Sequence, residues 1–264
     1  MPVRGRDCSR IPGTKDTVLF KESKAKGKSM SLVCWSGGCD STSVLYDLAI
    51  KATKEDPVRA LSIVSPQFPA LEAQRHARER IKQWLKKKKV PKIDYNEVEI
   101  KYENRSEFSM ESGGGLIQPI TWIPLAATFL KEKEDLYLGY IRGDDFWHYQ
   151  TQAYWIFRYL QEMVRKQGVL KTPLEWQTKD DVIRKLKEIG LFKLCWTCER
   201  PSPKEKPCGA CVPCRSMESA LWRLSKEPKP KKLQPIKDLA DAMRKKLDKD
   251  VEAKMKDSIK KETA

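Results

Sequence analysis

The sequence lacks any uninterrupted apolar run of roughly 18 residues, so no membrane-spanning helix is expected. Its first residues lack the apolar core of an export signal, and a cytoplasmic chain is expected. A phosphate loop of the Walker type is missing too, because no glycine-rich turn ends in Gly-Lys-Ser/Thr. Acidic residues are outnumbered, leaving a formal charge of +16 that favours anionic ligands, with nucleic acid among the candidate partners. The excess is spread along the chain, which also suits a merely solubilising surface. Eight cysteines are present, several at CxxC spacing. Without an export signal, metal binding or reduced thiols are expected rather than a disulfide framework.

With 264 residues and 40% hydrophobic content, the chain can bury one large α/β core with appendages. Its organising stretch is Leu32-Val33-Cys34-Trp35-Ser36-Gly37-Gly38-Cys39-Asp40-Ser41-Thr42. An apolar run ends in Ser-Gly-Gly-x-Asp-Ser and passes into a helical pattern at Val44, Leu45, Leu48 and Ala49. This reads as a buried strand, a tight turn and a helix N-terminus. Gly37 and Gly38 let the backbone approach a ligand, and the helix start supplies free N–H groups. Ser36, Ser41 and Thr42 add hydroxyl donors. Cys39 lies inside this loop and is expected to pack.

Further strands are predicted at 58–64, 92–100 and 135–141, with helices at 70–89, 123–131 and 149–166. Pro124 is placed in the first turn of its helix. Alternating strands and helices imply a parallel sheet. Arg142, Asp144, Asp145 and His148 then fall at a strand's carboxyl end, where open α/β sheets bind ligands. The aromatic residues Tyr154, Trp155, Phe157 and Tyr159 are expected mainly in the core. Four domains or segments are expected: a basic N-terminal segment 1–29, an α/β domain 30–194 that carries the glycine loop, a cysteine region 195–225, and a lysine-rich linker with an amphipathic helix 226–264. Val18-Leu19-Phe20 could add an edge strand, and Ser112-Gly113-Gly114-Gly115 reads as a hinge or lid. From Ile236 to Ile259 apolar residues recur every three or four positions, giving a stripe that needs a partner: protein is favoured, either the domain's own surface or the same helix of a homodimer, with nucleic acid against the basic face as the alternative.

Cys198, Cys208, Cys211 and Cys214 are spaced so that four thiolates can converge on one tetrahedral Zn²⁺, a closed structural site. Cys195 could replace Cys198, and a redox CxxC or an iron–sulfur cluster is the alternative.

The loop resembles the pyrophosphate loop of the ATP pyrophosphatase-type (PP-loop) superfamily. Together with Trp196-Thr197-Cys198 and the CGxCxxC of Cys208–Cys214, it resembles the 7-cyano-7-deazaguanine synthase family. Shorter segments agree: Gln74-Arg75-His76-Ala77-Arg78-Glu79, Thr172-Pro173-Leu174 and Thr178-Lys179. At Trp122-Ile123-Pro124-Leu125 the chain departs from the family's Arg-Asn pair, which makes it a divergent member.

The resemblance implies a Rossmann-like, adenine nucleotide α hydrolase-like parallel sheet with helices on both faces. It implies an ATP-dependent ligase that activates a small-molecule carboxylate, 7-carboxy-7-deazaguanine or a relative, for attack by ammonia. The product would be an amide and then a nitrile, made for nucleic-acid modification such as queuosine biosynthesis or for a related phage-defence role. The loop Ser36–Thr42 would hold ATP, Asp40 would hold Mg²⁺, and Lys179 would neutralise charge on the activated intermediate. Asp144 and His148 are further catalytic candidates, and Gln74, His76, Arg142 and Asp145 are substrate candidates. An RNA-thiolating PP-loop enzyme and a catalytically inactive nucleotide- or nucleic-acid-binding subunit are the other readings.

Overall fold

A computed structural model describes residues 30–53, 56–101, 118–202 and 205–227. The basic segment 1–29 with its edge strand, the Ser112–Gly115 hinge and the stripe from Ile236 to Ile259 lie outside the described residues.

Five parallel strands form one sheet in the order β3-β2-β1-β4-β5. They are β1 (Ser31–Cys34), β2 (Val58–Val64), β3 (Ile93–Glu99), β4 (Asp135–Tyr137) and β5 (Leu170–Lys171). Parallel neighbours need crossovers, and the helices α1 (Cys39–Ala49), α2 (Leu71–Lys87), α3 (Gln118–Phe129) and α4 (Gln150–Met163) supply them. After β5 the chain adds α5 (Lys179–Ile189) and α6 (Val212–Lys226). All four residues of the central strand β1 are buried, as a strand covered on both faces requires.

Two apolar clusters flank the sheet. One gathers Val44 and Leu45 of α1, Ile81 and Leu85 of α2, and Val182 and Leu186 of α5. The other gathers Ile123 and Ala126 of α3 with Ala153 and Phe157 of α4. The order of strands reverses at β1, so the crevice at the carboxyl end of β1 and β4 is the place where such sheets bind ligands. Among the described residues no helix is long and apolar enough to cross a membrane.

Several elements differ from the sequence-based expectation. Helix α3 begins at Gln118, so Pro124 lies inside it rather than in its first turn; Pro119 takes that position, where a missing N–H costs nothing. Strand β4 ends at Tyr137 instead of running to residue 141. The backbone beyond it must press on α1: a Cβ at Gly139 would stand 2.7 Å from the Ser41 nitrogen. The two-residue strand β5 is too short to leave a periodic signal. On α4, Phe157 is buried as expected, but Trp155 and Tyr159 are 66% and 63% exposed. They share the solvent face with Met163, four residues apart each time.

Candidate functional site

The loop is shaped by its own hydroxyls and by one glycine. Trp35 continues the β1 ladder by donating to Leu61 O at 2.8 Å, and the chain then turns through Gly37 at φ +86°. That left-handed conformation strains any residue with a Cβ. The Ser36 and Ser41 hydroxyls lie 3.1 Å apart, and the Gly38 N–H donates to Ser36 Oγ at 3.2 Å. Helix α1 starts at Cys39 with no side-chain cap, which leaves the N–H groups of its first turn able to meet an anion. Thr42 is turned inward: it is buried and its Oγ1 accepts from the Trp35 indole at 3.0 Å.

At the same helix start, Asp40 Oδ2 accepts from Lys179 Nζ at 2.5 Å. Lys179 opens α5, where Thr178 forms a capping box with Asp181. The other oxygen, Asp40 Oδ1, is buried and has no hydrogen-bond partner. A buried carboxylate oxygen with no donor is costly unless a cation meets it. Asp144 adds a second carboxylate. Burial raises its pKa, the Ile141 N–H at 2.7 Å opposes that, and the nearby negative charge of Asp40 raises it further. Hard oxygen donors of this kind fit Mg²⁺, with Asp40 and Asp144 as the residues that would hold it. Arg142 and Asp145 are exposed on the same turn after β4, and His148 is exposed at the end of the short 3₁₀ turn Asp145–His148. The Arg142 backbone is tied to Gln177 O at 2.9 Å, which joins this turn to the approach of α5.

One residue at the loop escaped the sequence reading. The Arg78 side chain is buried beneath the loop, donating to Ser36 O at 3.2 Å and to Glu97 Oε2 at 2.6 Å. Burial lowers its pKa, and the Glu97 carboxylate offsets part of that. Gly37 is fitted to it: a Cβ there would meet Arg78 Cγ at 2.9 Å and Gln74 O at 3.3 Å. The signal was present in Gln74–Glu79, but a helical arginine four residues after a site candidate carries no mark of burial. Gln74 is half-buried under the loop, whereas His76 is exposed and pairs through Nδ1 with Glu205 at 3.0 Å.

The thiols of Cys198, Cys208, Cys211 and Cys214 lie within 4.8 Å of one another. The backbone shapes this cluster: the N–H groups of Ala210 and Cys211 point at Cys208 Sγ at 3.4 and 3.3 Å. Those two N–H groups are the main reason the Cys208 thiol is held down at about 6. Four converging thiols, one of them thiolate-prone, fit a metal ion. Cys195 is outside the set. It faces Cys39 instead, whose pKa is raised first by the hydrogen bond between the two thiols and then by burial. The cysteine region is tied to the loop: Trp196 N donates to Gly37 O at 3.0 Å, and the Trp196 indole donates to Cys198 O at 2.7 Å.

The described residues thus form a Rossmann-like all-parallel α/β fold with a glycine loop and a carboxylate–lysine pair at its switch point, and a four-thiol cluster that could hold a metal. Residues 143–225 match the family model described as queuosine biosynthesis protein QueC. The resemblance read from the motifs is thereby supported independently over that stretch, where the chain is similar to the QueC family. No curated protein matches the chain. In fold it is similar to the U34-tRNA thiolase NcsA from Methanococcus maripaludis, solved with its [4Fe-4S] cluster. That likeness has a TM-score of 0.43 and 14% identity, over 80% of this chain and 77% of that one, and bears on neither reaction nor metal.

Proposed function

We propose that the protein is an ATP-dependent ligase that activates a carboxylate for attack by ammonia, with 7-carboxy-7-deazaguanine or a close relative as substrate. The observation that carries this reading is the Asp40 carboxylate, which gives one oxygen to Lys179 and keeps the other buried and free. A carboxylate is a poor electrophile, so one of its oxygens must become a leaving group. The substrate oxygen attacks an ATP phosphorus, and the rest of the phosphate chain departs with the electron pair. Ammonia then adds to the acyl carbon and the phosphorylated oxygen leaves, giving the amide. A second activation at the amide oxygen, followed by loss of that oxygen and the two amide protons, gives the nitrile.

In this reading the N–H groups of the α1 first turn and the Ser36–Ser41 loop hold the phosphates. Lys179 sits where negative charge builds on the phosphate chain. Mg²⁺, when bound, neutralises phosphate charge. Arg142, Asp145 and His148 offer donors and acceptors to the base of the substrate. The thiol cluster is read as a closed zinc site. Bonds of about 2.3 Å place tetrahedral sulfurs roughly 3.8 Å apart, which suits thiols gathered within 4.8 Å. A second reading, an RNA-thiolating enzyme, is favoured by the Cys39–Cys195 thiol pair beside the loop.

The test is incubation with ATP, ammonia and 7-carboxy-7-deazaguanine, read by mass spectrometry. The expected result is an ATP-dependent amide and nitrile, absent with Asp40→Ala. No such product, together with sulfur transfer to an RNA base that requires Cys39 or Cys195, would replace this reading with the second. Nucleotide binding without either product would leave a non-catalytic subunit.

A further inference from the structure

Helix α4 turns an apolar face to solvent that the proposed chemistry does not use. Trp155, Tyr159 and Met163 stand on it at 66%, 63% and 65% exposure, and Val164 and Val169 beyond them are exposed as well. The helix is held in the fold by Ala153 and Phe157 on its other side, so the core does not need the three large side chains. Apolar residues exposed singly are ordinary, but a contiguous row of this size marks an interaction surface.

What the row fits is set by its order along the helix. Its members are four residues apart and form one ridge, and such ridges pack into the grooves of a facing helix. Tyr159 is the midpoint. Turning a second copy end over end about that point sets Tyr159 on the partner's Tyr159 and Trp155 on the partner's Met163, twice over. Aromatic rings and a thioether both gain from such contacts. The charges beside the ridge obey the same symmetry. Arg158 and Glu162 pair at 3.1 Å, and the point midway between them lies one residue from Tyr159. After the rotation each Arg158 lies beside the partner's Glu162, so opposite charges meet at both ends of the contact. Lys166, at the far end of the face, is drawn back to Thr128 O at 3.3 Å. The formal charge of +16 opposes association, but it is spread along the chain and screened beyond about 8 Å at physiological salt.

We propose that the Trp155–Tyr159–Met163 face of α4 is a two-fold interface with a second copy of this chain, the two helices running antiparallel across Tyr159. The exposed two-thirds of three such side chains amounts to about 400 Å² per copy. That is about half of the roughly 800 Å² each partner gives to a standard interface. Arg158, Glu162 and Val164 at the rim add to it, and the result is a dimer in exchange with monomer rather than a permanent one.

Sedimentation and cross-linking of the full chain test this. The unaltered protein should pass from monomer to dimer as its concentration rises, and Tyr159→Asp should stay monomeric. Arg158→Glu should weaken the dimer at least about tenfold, and Arg158→Glu/Glu162→Arg should restore it. A short bis-maleimide should link Tyr159→Cys to itself between copies. It should not link Gln152→Cys, which is also exposed, because two copies of residue 152 stand about 21 Å apart when residue 159 is on the axis. All these side chains are exposed, so the variants should keep the circular dichroism of the unaltered protein. A chain that stays monomeric at every concentration would overturn the proposal, as would a dimer indifferent to Tyr159→Asp or equal cross-linking at 152 and 159. Quenching of tryptophan emission by a single-stranded oligonucleotide, lost in Trp155→Ala and without cross-linking at 159, would assign the face to nucleic acid instead.

Discussion

Lys179 Nζ donates to Asp40 Oδ2 at 2.5 Å, although the two residues are 139 positions apart. One lies in the first turn of α1 and the other opens α5, so the folded sheet makes the pair. Neither side chain is more than about a fifth exposed, at 14% and 22%. Removing the lysine alone leaves a half-enclosed carboxylate without a partner, whereas removing both leaves none. Lys179→Met should therefore lower the melting temperature more than the double variant Lys179→Met/Asp40→Ala. ATP-dependent turnover should fall about 100-fold or more in each. Thermal unfolding and a turnover assay check this, and normal turnover in Lys179→Met would remove the lysine from the site.

Gly139→Ala is expected to damage the loop without altering any loop residue. The added Cβ would stand 2.7–2.9 Å from three backbone atoms of Asp40 and Ser41, and backbone cannot swing aside as a side chain can. The segment after β4 must then move off the start of α1. Overpacking of this kind costs about 1–3 kcal/mol. Nucleotide affinity should fall together with the melting temperature; a variant with unchanged ATP affinity would show that the contact is not needed for the loop's shape.

The sequence exposed those features that depend on local order. Ser36–Thr42, the alternation of long elements and the spacing of Cys198, Cys208, Cys211 and Cys214 are each readable from neighbours along the chain, and the sheet and the thiol cluster follow them. Features made by distant segments were hidden. The burial of Arg78 depends on Glu97 and Ser36, and the early end of β4 depends on contact with Ser41. The choice of Cys198 over Cys195 depends on where Cys39 lies. Trp155 and Tyr159 misled because aromatic residues usually seek the core, and only the docking of α4 through Phe157 decides which face turns outward.

The brace under the loop should be acid-sensitive. Burial raises the Glu97 pKa, but hydrogen bonds from Arg75 and Arg78 outweigh it and hold the carboxyl below its ordinary value of 4.5. A carboxylate depressed in the folded state contributes stability that is complete above its unfolded pKa. That contribution disappears as pH falls through the lower folded value. The melting temperature should drop more steeply below pH 4.5 in the unaltered protein than in Glu97→Gln. Parallel curves for the two proteins would show that the pair does not contribute.

Freshly purified protein should carry one zinc ion per chain, measured by elemental analysis. Cys198→Ser should lose it and Cys195→Ser should keep it, because Cys195 faces Cys39 rather than the cluster. A visible charge-transfer band with iron in the preparation would replace zinc by an iron–sulfur cluster.

Removing the metal should also weaken nucleotide binding. Trp196 lies two residues before Cys198, donates its indole N–H to Cys198 O at 2.7 Å, and donates its backbone N–H to Gly37 O at 3.0 Å. The cluster thus holds one end of a short segment whose other end steadies the turn of the Ser36–Thr42 loop. A single hydrogen bond contributes about 1 kcal/mol net, which corresponds to roughly a fivefold change in Kd. Titrating a non-hydrolysable ATP analogue into protein with and without chelator, and into Cys198→Ser, should show a loss of that order while circular dichroism retains the sheet signal. The sheet signal is expected to survive because none of Cys198, Cys208, Cys211 and Cys214 belongs to either core cluster. An unchanged Kd after complete metal loss would mean that Trp196 stays on Gly37 unaided and that the thiol centre only organises its own segment.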